Sequence, residues 1–334
     1  MSRQRVWVSR PLFDDIVERL HQFFDVEAET ADRVWTAGEV AAKVRDMHGA
    51  VLGVADPLNA AAVVQAPRLR AVANVAVGYD NLDVAALTAA GVIATNTPDV
   101  LNEAVADFAW ALLLATARRV SEGERFVRAG RWREPSYRLL LGAEVHGRTL
   151  GILGMGRIGQ SIARRASGFA MPVIYHNRSR LDARLERECN AGYVSRDELL
   201  VRADFLVLVL PLSTATRHSI AAGELARMKR SAVLVNIARG GIVDDAALVH
   251  ALNSGTIAAA GLDVFENEPA LHPALAALDN VVLTPHIASA SVDTRRAMTA
   301  LAVENLIAAL GCGPHAGRPP NMLNPEVLAR LREH

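Results

Sequence analysis

The chain has 334 residues, 51% of them hydrophobic, and 36 basic and 36 acidic side chains give a formal net charge of zero. A neutral chain lacks the basic surface that binds nucleic acid or an anionic membrane, so we expect neither partner. The two cysteines, Cys189 and Cys312, have no metal-ligand spacing and form no disulfide framework, so no metal is expected either. The length is sufficient for two domains with a large buried core.

Neither a leader segment nor a membrane span is expected. Residues 1–10 lack the apolar core of a signal peptide. The most apolar helical stretch, residues 104–117, is interrupted by Asp107 and is shorter than the roughly 20 residues that a membrane span requires. We therefore expect a cytoplasmic protein.

The first hundred residues alternate short apolar runs with helical stretches. The runs that predict buried strands are residues 5–8, 50–54, 71–75 and 93–95. A long helix is predicted over residues 102–119, and an irregular segment rich in Arg, Trp and Pro follows at residues 128–142. In this segment, Trp132 and Tyr137 are either ordinary buried aromatic residues or part of a contact with a second copy of the chain.

A second alternating series follows the irregular segment. Its predicted strands are residues 149–153, 172–175, 205–210, 233–237, 259–262 and 281–284. Strands that alternate with helices predict an α/β fold with doubly wound parallel sheets. A last helix is predicted over residues 291–310, before a Gly/Pro-rich tail. We expect it to return to the first domain, so that residues 1–100 and 291–334 form a discontinuous substrate-binding domain and residues 101–290 a dinucleotide-binding domain.

The most informative motif opens the second series. An apolar run leads into G-x-G-x-x-G at residues 154–159 and then into a helical pattern at residues 160–168. In this context the first glycine makes a tight turn and the second lets the backbone approach a pyrophosphate. The third allows close packing of helix on strand, so the helix N-terminus faces the anion. The residues of the predicted cofactor site are Gly154, Gly156, Arg157, Ile158 and Gly159.

The residues after the next predicted strand bear on which dinucleotide binds. About 20 residues beyond the glycine motif, an NAD-preferring site has an Asp or Glu that accepts from the ribose 2′-hydroxyl. Here the chain reads Asn177, Arg178, Ser179 and Arg180. Guanidinium groups and a hydroxyl suit a 2′-phosphate, which a carboxylate would repel. We interpret this cluster as a preference for NADP(H), with NAD(H) also accepted; the alternative is a solvated Arg-rich loop.

Four further segments resemble one known family. They are residues 74–81 (NVAVGYDN), 236–244 (NIARGGIVD), 261–269 (GLDVFENEP) and 284–288 (TPHIA). In this order, and over about residues 51–310, the chain is similar to the D-isomer-specific 2-hydroxyacid dehydrogenases. Within that family it most resembles the glyoxylate/hydroxypyruvate reductases and the related 2-ketogluconate reductases. The resemblance implies a Rossmann nucleotide domain, a flavodoxin-like substrate domain and a homodimer whose contact lies in residues 102–142.

The resemblance also implies the catalytic residues. Arg239 would bind the substrate carboxylate and polarise the adjacent carbonyl, although an Arg after a buried strand is by itself more often a surface ion-pair partner. His286 would be the acid/base, and Glu268 would pair with it and favour its protonated form. By motif register the nearby Glu266 is interpreted as a surface residue.

Further binding residues follow from the same resemblance. Val77 and Gly78 would offer backbone N–H groups to the substrate carboxylate, where a glycine permits close approach. Asp263 would contact the nicotinamide carboxamide, although a lone Asp after a strand is also a common loop cap. Three more residues are placed against the cofactor: Pro211, Ile237 and Ala288.

The expected reaction is hydride transfer from NADPH to a small 2-keto acid such as glyoxylate, hydroxypyruvate or 2-ketogluconate, which yields the D-2-hydroxy acid. Two alternatives stay open. Dehydrogenases of D-3-phosphoglycerate, D-lactate or phosphite resemble the chain at the same motifs. A non-catalytic, nucleotide-sensing co-repressor of this fold also resembles it at Arg239, Glu268 and His286, so fold alone does not establish catalysis.

Overall fold

The computed structural model describes residues 3–332. It divides into two compact units, Met1–Leu101 with Ser291–His334, and Asn102–Ala290. Each unit is built on its own parallel sheet. Over the described part of the chain, no helix is both long and apolar enough to cross a membrane.

Strands and helices alternate through both units. The strands are β1 (Arg5–Val8), β2 (Asp25–Ala28), β3 (Gly49–Leu52), β4 (Ala71–Asn74), β5 (Ile93–Thr95), β6 (Leu150–Leu153), β7 (Val173–His176), β8 (Ala191–Tyr193), β9 (Phe205–Leu208), β10 (Val233–Asn236), β11 (Ala259–Leu262) and β12 (Val281–Leu283). The helices are α1 (Asp14–His21), α2 (Ala37–Val44), α3 (Ala60–Val64), α4 (Val84–Ala89), α5 (Asn102–Ala117), α6 (Val120–Arg128), α7 (Arg157–Arg165), α8 (Ala183–Glu188), α9 (Arg196–Arg202), α10 (Ala222–Leu225), α11 (Asp245–Asn253), α12 (Val292–Ala309) and α13 (Val327–Arg332). Short 3₁₀ helices lie at Ala166–Phe169 and Pro273–Ala277.

The first unit has a five-stranded sheet in the order β2-β1-β3-β4-β5, and all its strand pairs are parallel. This is the flavodoxin-like order. β3 and β4 are buried along their whole length, as expected where helices cover both faces of a parallel sheet. Each fully buried Leu or Val side chain of such a sheet stabilises the fold by about 1.5–3 kcal/mol. Helix α12 packs against β3, β4 and β5, so the C-terminal part of the chain belongs to this unit.

The second unit has a seven-stranded parallel sheet in the order β12-β11-β10-β9-β6-β7-β8. The chain begins at β6 in the middle, moves outward to β8, and returns to place β9 on the other side of β6. Strand order therefore reverses between β6 and β9. In open α/β sheets, ligands bind at the carboxyl ends of the strands beside this reversal.

Every predicted strand is present, with ends displaced by a few residues, and the prediction of two doubly wound parallel sheets is confirmed. Two strands were missed. β2 has mostly exposed side chains, so it carries no apolar run. β8 is three residues long, contains Gly192 and lies at the sheet edge, where less of a strand is buried.

Candidate active site

The glycine motif forms a tight turn between β6 and α7. Gly154 has φ +105°, and a Cβ there would lie 2.3 Å from Val209 O. A Cβ at Gly159 would lie 2.4 Å from Gly154 O, so the helix can pack this closely only with glycine. Gly156 is different, because a Cβ there would meet no protein atom within 4 Å. The two outer glycines are thus required by the fold, and the middle one borders open space.

The N-terminus of α7 fits a pyrophosphate. Gly156 is its N-cap residue and provides no side-chain cap, so within residues 3–332 the backbone N–H groups of Ile158 and Gly159 remain for an external acceptor. Gly156 and Arg157 are exposed and Ile158 is half-buried. The exposed glycine, the open space beside it and the uncapped helix end suit the dinucleotide phosphates.

Asn177, directly after β7, is part of this turn. Its side-chain Oδ1 accepts from Met155 N–H at 2.7 Å, so the residue in the position usual for a ribose-binding carboxylate instead holds the glycine turn. Arg178 and Ser179, which follow, are exposed, and neither forms a hydrogen bond or ion pair with another residue in the range 3–332. They are the members of the predicted 2′-phosphate cluster that no other side chain engages.

Arg180, the last member of that cluster, is engaged by Glu186. The guanidinium makes two hydrogen bonds of 2.8 Å to the carboxylate. Tyr175 OH also donates to Glu186 at 2.7 Å. The Arg180 and Tyr175 hydrogen bonds lower the pKa of Glu186 to about 2, whereas burial and Glu186 raise the pKa of Tyr175 to about 12. Sequence reasoning missed Glu186 as a partner of the cluster.

The structure pairs His286 with Glu268, as predicted. His286 lies just after β12 in the left-handed region, with φ +53°. Its Nδ1 is 2.7 Å from Glu268 Oε2, and Glu268 Oε1 accepts from Phe265 N–H at 2.9 Å. The carboxylate thus orients the imidazole through Nδ1, on the side of the ring opposite Nε2.

A buried carboxylate builds the loop that carries the histidine. Asp263 Oδ1 accepts from Thr284 Oγ1 at 2.7 Å and from Ile287 N–H at 2.9 Å, and its Oδ2 accepts from Ala288 N–H at 2.8 Å. His286 N–H donates to Asp263 O at 2.8 Å. Burial raises the pKa of Asp263, and the hydrogen bonds it accepts oppose that rise. Asp263 therefore caps this loop, and its contact with the nicotinamide carboxamide stays a prediction.

Arg239 follows β10 in a turn held by its neighbours. Asn236 Nδ2 donates to Arg239 O at 3.0 Å, and Asn236 Oδ1 accepts from Ala238 N–H at 3.1 Å. The guanidinium donates to Ala238 O at 2.8 Å. A Cβ at Gly240 would lie 1.7 Å from Phe265 O, so this turn packs directly against the loop that leads to Glu268. The fold thereby brings the segments that carry Arg239 and Glu268 side by side.

Glu266 is not the simple surface residue that the sequence analysis expected. Its side chain is only 21% exposed, and its Oε1 lies 2.5 Å from Arg217 Nη2 and 2.8 Å from His218 Nε2. His218 N–H donates to Gly241 O at 2.7 Å, so the cluster fastens the turn after Arg239. The partners are 48 residues apart in the chain, and sequence reasoning had no signal for their pairing.

The remaining predicted cofactor residues lie after neighbouring strands. Pro211, after β9, is exposed, and its carbonyl oxygen accepts from Thr216 Oγ1 at 2.7 Å. Ile237, after β10, is 6% exposed. In the irregular segment, Trp132 is 58% exposed and Tyr137 is fully exposed, so the interpretation as buried aromatic residues is wrong.

In the first unit, Val77 and Gly78 lie in the half-buried loop after β4. Asn96 Nδ2 donates to Val77 O at 2.8 Å, and Asn74 Nδ2 donates to Gly78 O at the same distance. Neither Val77 nor Gly78 has an acceptor for its backbone N–H among residues 3–332. Sequence reasoning did not identify the asparagines that hold this loop.

Comparisons with known proteins agree with this geometry. The NAD-binding-domain model of the D-isomer specific 2-hydroxyacid dehydrogenases matches residues 110–288. A glyoxylate reductase of Thermococcus onnurineus is 46% identical over 330 residues, which cover 98% of this chain and 97% of that protein. A glyoxylate reductase of Aeropyrum pernix is also 46% identical, with 98% of each chain covered.

A solved structure is similar over nearly the whole chain. It is an NADPH-dependent glyoxylate/hydroxypyruvate reductase of Sinorhizobium meliloti in complex with NADP and malonate, with 39% identity and a TM-score of 0.85. The match covers 96% of this chain and 97% of that one. The resemblance seen in the motifs is thus confirmed. The chain belongs to the D-isomer specific 2-hydroxyacid dehydrogenase family and is an NAD(P)-dependent enzyme of that family.

Proposed function

We propose that this enzyme reduces glyoxylate, hydroxypyruvate and similar small 2-keto acids, including 2-ketogluconate, to D-2-hydroxy acids, with NADPH preferred over NADH. The pairing of His286 Nδ1 with Glu268 at 2.7 Å carries the proposal. An imidazole oriented in this way suits proton transfer to a carbonyl oxygen near neutral pH. The relatives named as glyoxylate reductases support the choice of substrate.

Each residue has a separate task in the proposed mechanism. The bound cofactor supplies the hydride that adds to C2 of the keto acid. Arg239 holds the carboxylate and stabilises negative charge on the carbonyl oxygen, which His286 protonates from Nε2. Glu268 holds Nδ1 and stabilises the imidazolium before the transfer. Backbone N–H groups of Val77 and Gly78 also bind the carboxylate.

The cofactor roles are proposed on the same basis. The N-terminus of α7 binds the pyrophosphate. Arg178 and Ser179 bind the 2′-phosphate, because neither side chain has a partner among residues 3–332. Arg180 contributes less, since Glu186 already neutralises it. The NADP in the similar Sinorhizobium meliloti structure supports the preference for NADPH.

We also propose that the enzyme is a homodimer whose contact includes residues 102–142. Large apolar side chains of this segment are exposed, among them Trp132 at 58%, Tyr137 at 102% and Leu141 at 65%. A cluster of such residues is typical of an interaction surface. Light scattering coupled to gel filtration would show a dimer, and a monomer at micromolar concentration would contradict this part of the proposal.

The test of the mechanism compares the wild-type enzyme with His286→Gln, using glyoxylate and NADPH. General acid catalysis contributes about 10²–10⁴-fold, so kcat should fall by at least about 100-fold. The Kd for NADPH should stay within about twofold, since His286 is assigned no role in binding the cofactor. A variant that retains kcat would contradict the role of His286, and a wild type that binds NADPH but reduces no keto acid would contradict the function.

A further inference from the structure

In the loop after β4, backbone carbonyl oxygens accept hydrogen bonds from the protein, whereas the neighbouring backbone N–H groups do not donate to it within residues 3–332. Three successive carbonyl oxygens all accept from the protein. The pairs are Thr97 N with Ala76 O (3.0 Å), Asn96 Nδ2 with Val77 O (2.8 Å) and Asn74 Nδ2 with Gly78 O (2.8 Å). Two of the three donors are asparagine side chains, which the proposed mechanism does not use.

These bonds determine where the amides of the loop point. The peptide bonds are trans, so each C=O and the N–H of the next residue point in opposite directions. Fixing the three carbonyls therefore directs the N–H groups of Val77, Gly78 and Tyr79 away from the donors of these bonds, which are the Thr97 N–H and two asparagine side chains. Within the described range 3–332, none of these three N–H groups has an acceptor. Successive backbone donors without acceptors form a concavity that favours an anion.

The asparagines are themselves held by a buried network. Asn74 is fully buried, and its side chain exchanges two hydrogen bonds of 3.2 Å with Asn81. Asn81 Nδ2 also lies 3.1 Å from Gly53 O and 3.0 Å from Asp56 O. The loops after β3 and β4 are thereby fastened together through side-chain amides.

Asn96 is fixed through its backbone as well. Its N–H donates to Asn321 O at 3.2 Å, and its carbonyl oxygen accepts from Asn305 Nδ2 at 3.1 Å. Asn305 belongs to α12, and the residue Asn96 is only 9% exposed. The amide that holds Val77 O is thus anchored on both sides, and the loop cannot turn its peptide planes without breaking these bonds.

We propose that Asn74, Asn81 and Asn96 are positioning residues that hold the amides of Gly78 and Tyr79 ready, beside that of Val77, for a carboxylate group. Their action makes the first unit select keto acids over neutral carbonyl compounds, independently of Arg239. The identity of the anion as a keto acid rests on the proposed function. The positioning of the amides rests only on the contacts within the first unit.

The test uses two variants and a matched control in the full-length enzyme. Asn96→Asp removes the donor to Val77 O at constant size, and Asn96→Ser removes it without adding charge. Asn324→Asp is the control, because Asn324 is a fully buried amide of the same unit that bonds Ala94 N and Val92 O. The readouts are kcat and KM for glyoxylate, KM for its neutral methyl ester, and the Kd of oxalate and of NADPH.

Both Asn96 variants should raise the KM for glyoxylate and the Kd of oxalate at least about tenfold, because the Gly78 amide, no longer held through Val77 O, loses its hydrogen bond to the charged carboxylate. In these variants the KM for the methyl ester and the Kd of NADPH should change less than about twofold. Asn324→Asp should change all four of these KM and Kd values by less than about twofold. The proposal is overturned if the KM for glyoxylate and the Kd of oxalate change less than about twofold in the Asn96 variants. It is also overturned if Asn324→Asp changes them as much as the Asn96 variants do.

The two proposals fail in different ways. If the wild type reduces no keto acid but oxalate binding still weakens in the Asn96 variants, the proposed function is wrong and the positioning role stands. If the wild type binds no oxalate, the positioning role is wrong. Should the Asn96 variants not fold, Asn81→Ser is measured instead, and an unchanged KM for glyoxylate in that variant overturns the inference.

Discussion

The exposed glycine at the start of α7 allows a sharp test of the cofactor site. Gly156→Ala adds one methyl group at a position where a Cβ would meet no protein atom within 4 Å. The backbone at Gly156, with φ −75° and ψ −164°, is accessible to alanine. The folded protein should therefore accept the substitution, and the methyl group should occupy space that the pyrophosphate needs.

The two effects of Gly156→Ala on stability are of similar size and opposite sign. Alanine is a poorer N-cap residue than glycine, which costs up to about 1 kcal/mol, and it restricts the unfolded chain, which contributes about 0.4–1 kcal/mol to stability. The free energy of unfolding should therefore change by less than about 1 kcal/mol.

The effect of Gly156→Ala on cofactor binding should be larger. Displacing the phosphate loses at least one charge-assisted hydrogen bond of about 1.5–3 kcal/mol, which raises the Kd of NADPH roughly 10–100-fold.

The assay combines thermal unfolding of the apoenzyme with fluorescence titration of NADPH. Gly168→Ala is the matched control, since a Cβ at Gly168 also meets no atom within 4 Å and lies outside the motif. Gly159→Ala is the opposite case, because its Cβ would lie 2.4 Å from Gly154 O, and it should unfold at a clearly lower temperature. If Gly156→Ala binds NADPH as tightly as Gly168→Ala does, the assignment of the pyrophosphate to this turn is wrong.

Three further predictions concern titratable groups. Glu268→Gln should lower kcat with glyoxylate about 10–100-fold, because His286 loses an anionic partner, while Glu266→Gln should lower it less. Glu186→Gln should raise the NADPH/NADH ratio of kcat/KM, since Arg180 loses its carboxylate partner and becomes available to a 2′-phosphate. Tyr175 should ionise at a pH of about 12 in an ultraviolet difference titration of the wild type against Tyr175→Phe.

The sign of the Tyr175 effect on stability follows from its raised pKa. The folded protein keeps the phenol proton in the range of about pH 10–12, where an unfolded chain releases it, so folding stability falls as pH rises through that window. In Tyr175→Phe, the fall in folding stability that comes from this phenol should be absent, as measured by thermal unfolding at alkaline pH. Phenol ionisation complete near pH 10 would contradict the burial of Tyr175 against Glu186.

Controls separate the remaining outcomes. Glu188→Gln breaks the neighbouring ion pair of α8 with Arg184 and should leave the NADPH/NADH ratio unchanged. If the NADPH/NADH ratio of kcat/KM rose equally in Glu186→Gln and Glu188→Gln, the overall charge of α8, rather than the release of Arg180, would determine the cofactor preference. Equal losses of kcat in Glu268→Gln and Glu266→Gln would contradict the specific role of Glu268.

The sequence was sufficient wherever local pattern and local geometry coincide. The glycine spacing at residues 154–159 predicts a turn because its outer glycines are sterically required there, and the structure shows this requirement at Gly154 and Gly159. Buried strands were found because most of their side chains are apolar. The edge strands β2 and β8 were missed because an exposed strand carries no such pattern.

Side-chain contacts that depend on how the elements fold together could not be predicted in the same way. Glu186 neutralises Arg180 only because Tyr175 and α8 bring them together, and neither residue type indicates the pairing. Likewise, Asn96 acts on the loop after β4 through a contact across 19 residues. A polar residue near a predicted strand end is common, and only the tertiary structure shows which backbone group it binds.

The most direct measurement is the rate of oxidation of the reduced cofactor by purified wild-type enzyme, with NADPH and NADH each tested against glyoxylate, hydroxypyruvate, 2-ketogluconate and pyruvate. The account predicts turnover of glyoxylate or hydroxypyruvate, a higher kcat/KM with NADPH, and a D-configured product from hydroxypyruvate. Preference for NADH would contradict the role given to Arg178 and Ser179. Cofactor binding without reduction of any of the four keto acids would contradict the central claim that this enzyme is a 2-keto acid reductase.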